Sequence, residues 1–249
     1  MKLTVLGSSG TWPPAGGATC GYLVSHEDTH IWLDAGTGTF ANLQSALAIK
    51  DLSAIVITHG HPDHFVDVVP AFYARYYGGL GDSGLPFYSP EGFVSLLSLL
   101  VAEDGRDVMG EAYAFTTVEG GDHFRVGPFE IDAFDMAHVG VPALGYRLAA
   151  GGATLAYTGD TGPGHAVVDL ARGADVLLAE ASYQDASDLL PFHLSARQAA
   201  EHAKAAGVGR LLLTHILPTL DPAVSLAEAR SVYGPVELAD QGLVTVIGS

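Results

Sequence analysis

The 249-residue chain has one cysteine, Cys20. A single thiol excludes an internal disulfide, so a reducing, cytoplasmic location is the natural expectation. Cations are scarce: 11 Lys and Arg stand against 28 Asp and Glu, for a formal net charge of −17. So acidic a surface repels phosphate backbones at long range, and no basic run offsets it, so an extended nucleic-acid partner is not expected. A small anionic substrate is still compatible, because bound divalent cations reverse the field locally. No apolar run approaches the roughly 18–20 residues of a membrane span. The opening MKLTVLGSSG reads as a strand and turn, not a signal peptide, and no membrane partner is expected. Nor is there a linker, charge block or low-complexity tract to divide the chain.

What the chain has is apolar residues, 48% of the total. They fall in short β-rich runs that predict strands at Leu3–Leu6, Gly21–Val24, Ile31–Leu33, Ala54–Thr58, Phe129–Met136, Leu144–Leu148, Thr154–Thr158, Val176–Ala179 and Leu211–Thr214. Helical periodicity predicts helices at Phe40–Ile49, Val66–Tyr77, Gly92–Ala102, His165–Arg172, Ala196–Ala206 and Pro222–Val232. Ser195 and Gln198 form a capping-box pattern before the fifth of these, and Gly207 a stop signal after it. Strands early and late, with helices between, suggest two sheets packed face to face under outer helices.

Three of the eleven histidines crowd into the stretch AIVITHGHPDHF. His59 follows an apolar strand of the kind buried on both faces. Gly60 and Pro62 are expected to prevent regular structure there, letting His59, His61, Asp63 and His64 converge. Imidazole nitrogens and carboxylate oxygens are the donors a borderline divalent ion accepts. One ion needs about four ligands, and further candidates stand at strand ends: His138 after FEIDAFDMA, Asp160 after TLAYTG, and His215 after RLLLT. Side chains at the carboxyl ends of strands converge on one crevice.

With these residues in place, the sequence resembles the metallo-β-lactamase superfamily. The THGHPDH run, His138, Asp160 and His215 occur in the family's order, and LDAGTG around Asp34 and the opening LTVLGSSG match its N-terminal pattern. The resemblance implies an α/β fold, a four-layer αβ/βα sandwich with two mixed sheets face to face and helices outside, in a single domain over 1–249. It also implies two divalent metal ions, zinc first, with manganese and iron as alternatives. Carried over by position, His59, His61 and His138 hold one ion, Asp63, His64 and His215 hold the other, and Asp160 bridges them. Asp34 supports the ligands from behind.

Superfamily membership does not fix a substrate. Aspartate at the bridging position speaks against antibiotic hydrolases that use a thiolate ligand there. Cys20 lies far along the chain from every ligand motif and reads as a small buried residue. Glu180, ending DVLLAE, and His193, just before Ser195, resemble the phosphodiesterase branch. That branch includes bacterial cyclic-nucleotide phosphodiesterases and, more distantly, tRNA 3′-end-processing endonucleases. The resemblance makes His193, Glu180 and Asp63 the expected catalytic residues, His193 protonating the leaving oxygen. The long Gly/Pro-rich arm of the tRNA enzymes is missing between His138 and Asp160, where only a hairpin fits. The expected function is therefore hydrolysis of a small, cyclic-nucleotide-like phosphodiester by hydroxide formed at the metals. Alternatives are a carboxyl-ester, thioester or lactone hydrolase on the same metals, a tRNA 3′-processing endonuclease, and a non-catalytic metal module. Phe72, Tyr73, Tyr76 and Tyr77 are candidates for a base-stacking wall or for core. Residues 80–107 read as a lid or a dimer surface, with a homodimer left open.

Overall fold

A computed structural model describes residues 1–185 and 190–248. The stretch read between Glu180 and His193 therefore lies partly, at residues 186–189, outside the described residues. The first half of the chain forms β1 (Lys2–Gly7), β2 (Gly21–His26), β3 (Thr29–Ala35), β4 (Ala54–Val56), β5 (Leu85–Ser89) and β6 (Tyr113–Thr117). The second half forms β7 (His123–Val126), β8 (Phe129–Asp135), β9 (Leu144–Ala150), β10 (Ala153–Tyr157), β11 (Val176–Glu180), β12 (Arg210–Thr214), β13 (Val236–Leu238) and β14 (Val244–Val246). They assemble into two seven-stranded sheets, ordered β14-β1-β2-β3-β4-β5-β6 and β13-β12-β11-β10-β9-β8-β7. Both are mixed: β1 to β3 pair antiparallel and β3 to β6 parallel, and β7 to β10 antiparallel and β10 to β13 parallel.

Period-2 alternation explains why each sheet is apolar on both faces. In β3, Ile31 and Leu33 face the other sheet while Trp32 faces the helices outside. In β12, Leu212 points inward and Leu211 and Leu213 outward. The inner layer, which includes Tyr22, Phe129, Tyr146 and Tyr157, is sealed between the sheets. Strands covered on both sides read as continuous apolar runs for this reason.

The outer layers are α1 (Thr39–Ala46), α2 (Pro62–Phe65), α3 (Val68–Tyr76), α4 (Phe93–Leu100) and α5 (Glu103–Ala112) on the first sheet. On the second they are α6 (His165–Ala171), α7 (Ala196–Ala206) and α8 (Pro222–Arg230). The α7 helix lies flat on the sheet through buried Ala196, Ala199, Ala200, Ala203 and Ala206. Its capping box forms as expected, with Ser195 and Gln198 exchanging hydrogen bonds, and Gly207 closes it at φ 67°. A cap of this kind contributes about 1 kcal/mol.

Three expectations change. Pro62 does not prevent regular structure but opens α2, because proline at a helix's first position gives up an amide that would be unsatisfied anyway. Residues 80–107 are not a separate lid: β5 is interior to the sheet and Phe93 and Leu97 of α4 are buried beneath it, while Leu99 and Leu100 of the same helix are exposed. Phe72 is core, and Tyr76 stacks on it within the helix layer, while Tyr73 and Tyr77 stack on each other at 5.6 Å. Phe72 thus follows the core reading, while Tyr73 and Tyr77 are exposed. Among the described residues, no helix is long and apolar enough to cross a membrane.

Candidate metal centre

Asp34, His59, Asp160, Glu180 and His215 all stand at or just beyond the carboxyl ends of β3, β4, β10, β11 and β12. His61, Asp63 and His64 come from the loop and single helical turn after β4, and His138 from the segment after β8. Two of the strand-end residues, Asp34 and His215, sit in the left-handed region at φ 55° each. Such backbone costs about 1–3 kcal/mol per residue and survives where surrounding contacts over-determine it. Gly36 lets the β3 turn pass against the metal loop: a Cβ there would meet the Asp63 carbonyl oxygen at 1.9 Å.

One nitrogen from each of His59, His61 and His138 and one oxygen of Asp160 lie within 4.8 Å of one another. On two of these rings the other nitrogen is already engaged. His59 Nδ1 meets Thr58 Oγ1 at 3.0 Å, and His138 Nδ1 donates to the Phe192 carbonyl at 3.0 Å. On the other flank, His64 Nδ1 donates to Asp34 Oδ2 at 2.8 Å, and His215 Nδ1 to Ser182 Oγ at 2.8 Å. Fixing one nitrogen sets the tautomer and turns the Nε2 lone pair inward. There His64 Nε2 lies 3.2 Å from Asp160 Oδ1, and His215 Nε2 lies 3.1 Å from Asp63 Oδ2 and 3.3 Å from Asp160 Oδ2.

His215 Nε2 is bonded to Asp63 Oδ2, but other inward atoms have no such partner. His59 Nε2, His64 Nε2 and Asp160 Oδ1 are buried without a hydrogen bond. His138 Nδ1 donates to the Phe192 carbonyl, so at 3.0 Å its Nε2 accepts from the Nδ1–H of His61. Buried polar atoms are almost always satisfied. A concentrated exception made of nitrogen and carboxylate donors fits divalent cations.

Protonation splits the same way. Burial, helped by neighbouring histidines, pushes His59 well below the usual imidazole value, and burial also lowers His61 and His138. Those three keep free lone pairs at neutral pH. Burial opposes charge on His64 and His215 too, but Asp160 and Asp63 outweigh it and raise both. Asp63 and Asp160 are held low because His64 and His215 outweigh their burial.

His193 borders this group. Its Nδ1 is 2.9 Å from Glu180 Oε1 and 3.9 Å from Asp160 Oδ2, with the side chain 16% exposed. Fully buried Glu180 also accepts from the Thr161 amide at 2.7 Å and from Ser182 Oγ at 2.7 Å. Burial disfavours charge on His193, yet the Glu180 bond raises its pKa above the ordinary value.

The candidate ligands, with Asp34, Glu180 and His193, thus reach one crevice, joined by four that were not singled out: Thr58, Tyr157, Ser182 and the Phe192 carbonyl. Threonine before histidine at both 58–59 and 214–215 was the available signal. Ser182 and Phe192 belong to loops whose path no pattern announces. Cys20 is buried as expected but is not remote from the cluster. Its Sγ lies within 4.8 Å of one nitrogen each of His64 and His215, because the loop before β2 runs under the metal crevice.

Two face-to-face sheets with an edge cluster of histidines and aspartates define the metallo-hydrolase class. The model of the beta-lactamase superfamily domain matches residues 29–216. The probable metallo-hydrolase YhfI of Bacillus subtilis is 31% identical over 250 residues, covering 98% of this chain and 99% of that protein. Its crystal structure superimposes at a TM-score of 0.88 and 26% identity, over 98% of this chain and 99% of that one. Ribonuclease Z from a Mycobacterium species is 30% identical over 251 residues, with 89% of this chain and 86% of that protein covered. Human short-form tRNase Z shares the fold at a TM-score of 0.78 and 22% identity, with 100% of each chain covered. The chain belongs to the beta-lactamase superfamily.

Proposed function

We propose that the protein is a dinuclear phosphodiesterase acting on a small, cyclic-nucleotide-like diester. One cation is assigned to His59, His61 and His138, the other to Asp63, His64 and His215, with Asp160 shared. Such a pair supplies Lewis-acid polarisation of a phosphoryl oxygen and a water acidified toward neutral pH. Zinc suits the imidazole-rich set, with manganese and iron as alternatives.

The observation that carries the diester reading is the His193–Glu180 pair. Glu180 fixes the ring by accepting from Nδ1 at 2.9 Å and favours its protonated form. His193 is then a general acid at the mouth of the crevice, where an alkoxide leaving group needs a proton. An acyl transfer on the same metals has less use for a second, proton-loaded imidazole. Asp63, which accepts from the Thr11 amide at 2.8 Å, is held in place to bind metal and orient the attacking water. The 30% identity to a protein named ribonuclease Z supports diester chemistry, since ribonucleases break phosphodiesters.

Size and charge favour a small substrate. His138 and Asp160 are joined by the β9–β10 hairpin, turned at Gly151 and Gly152, with no arm to clasp RNA, and the net charge is −17. The protein is expected to act in the cytoplasm.

The test is metal analysis of purified protein followed by a panel of a chromogenic bis-aryl phosphodiester, cyclic AMP, a tRNA precursor, a lactone and a β-lactam. Diester turnover that collapses in His193→Ala supports the proposal. Turnover of the lactone alone, unaffected by His193→Ala, refutes it.

A further inference from the structure

The geometry points to Cys20 as an additional ligand, a soft sulfur donor, at the metal position formed by His64 and His215. This rests on the two-cation reading above and goes beyond it by assigning a residue and a metal preference. Cys20 Sγ and one nitrogen from each of these histidines lie within 4.8 Å of one another. All three side chains are buried.

The thiol's protein contacts are weak or shared: the Ser9 carbonyl lies at 3.9 Å, the long limit for sulfur, and the Tyr22 hydroxyl beside it is already bonded to Thr214 Oγ1 at 2.5 Å. His64 Nε2, in the same cluster, is fully buried and without a hydrogen bond. That orphan, 3.2 Å from Asp160 Oδ1, is a sign that an electrophile belongs beside His64. The position of Cys20 is held by backbone: its carbonyl accepts from the Gly36 amide at 2.9 Å, and Gly21 beside it pairs with Gly7 and Ala35.

Without a cation the thiol stays neutral, burial pushing it up to about 12. Ligation replaces that proton: the sulfur–metal bond forms as the S–H bond breaks, and the proton leaves to solvent. Adding sulfur to imidazole and carboxylate donors makes this position softer than its neighbour, so it prefers zinc or cobalt over manganese. The position built from His59, His61 and His138 has only nitrogen and oxygen donors.

Cobalt(II) gives the decisive readout. With two cobalt ions bound, wild-type protein should show a near-ultraviolet sulfur-to-cobalt charge-transfer band. Cys20→Ser and Cys20→Ala should lose it while keeping visible cobalt bands, and their preference for zinc over manganese at one of the two positions should fall. Zinc-loaded wild-type protein provides a second reading that needs no variant: X-ray absorption should contain a sulfur scatterer at about 2.3 Å. Two bound ions with no charge-transfer band and only nitrogen and oxygen scatterers overturn the assignment while leaving the phosphodiesterase proposal intact. Failure to bind two ions at all removes the reading on which both stand.

Discussion

Asp34 is where one atom's change should travel furthest. The carboxylate is fully buried and binds no substrate, yet it accepts from the Thr58 amide at 2.8 Å, Thr58 Oγ1 at 2.9 Å, Tyr157 OH at 2.7 Å and His64 Nδ1 at 2.8 Å. Asp34→Asn keeps the shape but turns one oxygen into a donor. The new amide must face either the Thr58 N–H or the His64 Nδ1–H and Tyr157 hydroxyl. The hydroxyls can rotate and accept, but the two N–H groups cannot. One buried donor is therefore orphaned, at about 1–3 kcal/mol, and charge-assisted bonds weaken, for a total of about 2–4 kcal/mol. In a chain of this size the melting temperature should fall by about 4–16 °C. The consequence for chemistry is separate: His64 is free to turn or to change tautomer, and metal affinity should drop about 10- to 100-fold. Differential scanning calorimetry and a zinc competition titration measure the two effects. Unchanged melting and unchanged zinc affinity in Asp34→Asn would show that the carboxylate neither satisfies those donors nor positions His64.

Glu180→Gln should retain metal but lower the pKa of His193. Because the general acid must be protonated, diester cleavage falls as pH rises through that pKa, and the basic limb of the pH–rate profile should move to lower pH in the variant. An unmoved limb would assign it to another group. In metal-free protein, His64, His215 and His193 have raised pKa values, so the stability they contribute is complete below about pH 6.5 and is lost as pH rises through their folded values. Histidines with lowered values, such as His59, add no slope above that pH. Chelated protein should therefore melt at lower temperature at pH 9 than at pH 7, whereas zinc affinity should rise over the same interval because fewer protons compete. Ala203→Leu, which overfills the contact between α7 and the second sheet, should cost about 1–3 kcal/mol in urea denaturation without changing metal content.

The THGHPDH run was legible because it puts four donor side chains within six positions after a strand whose apolar run needs no partner to be recognised. His138, Asp160 and His215 were legible through the rule that strand ends converge. Residues that orient donors were harder to see. Thr58 and Ser182 act through side-chain geometry that depends on register, and Phe192 through a carbonyl, which no residue type advertises. β5 escaped notice because Pro86 removes an amide and so argues against a strand. α5 was hidden by Gly105 and Gly110, which dilute helical periodicity. Cys20 is the small buried residue it was read as, but its separation from the ligand motifs along the chain is not a separation in space.

The last strand, β14, pairs not with its own half but with β1, Lys2 opposite Val246. A ribosome finishes the first sheet's border only after threading nearly everything else. Until then β1 exposes a row of free amides and carbonyls to any neighbouring nascent polypeptide. A version cut before Val244 should fail by clumping during expression rather than by losing its catalytic geometry, with insoluble yield the first symptom.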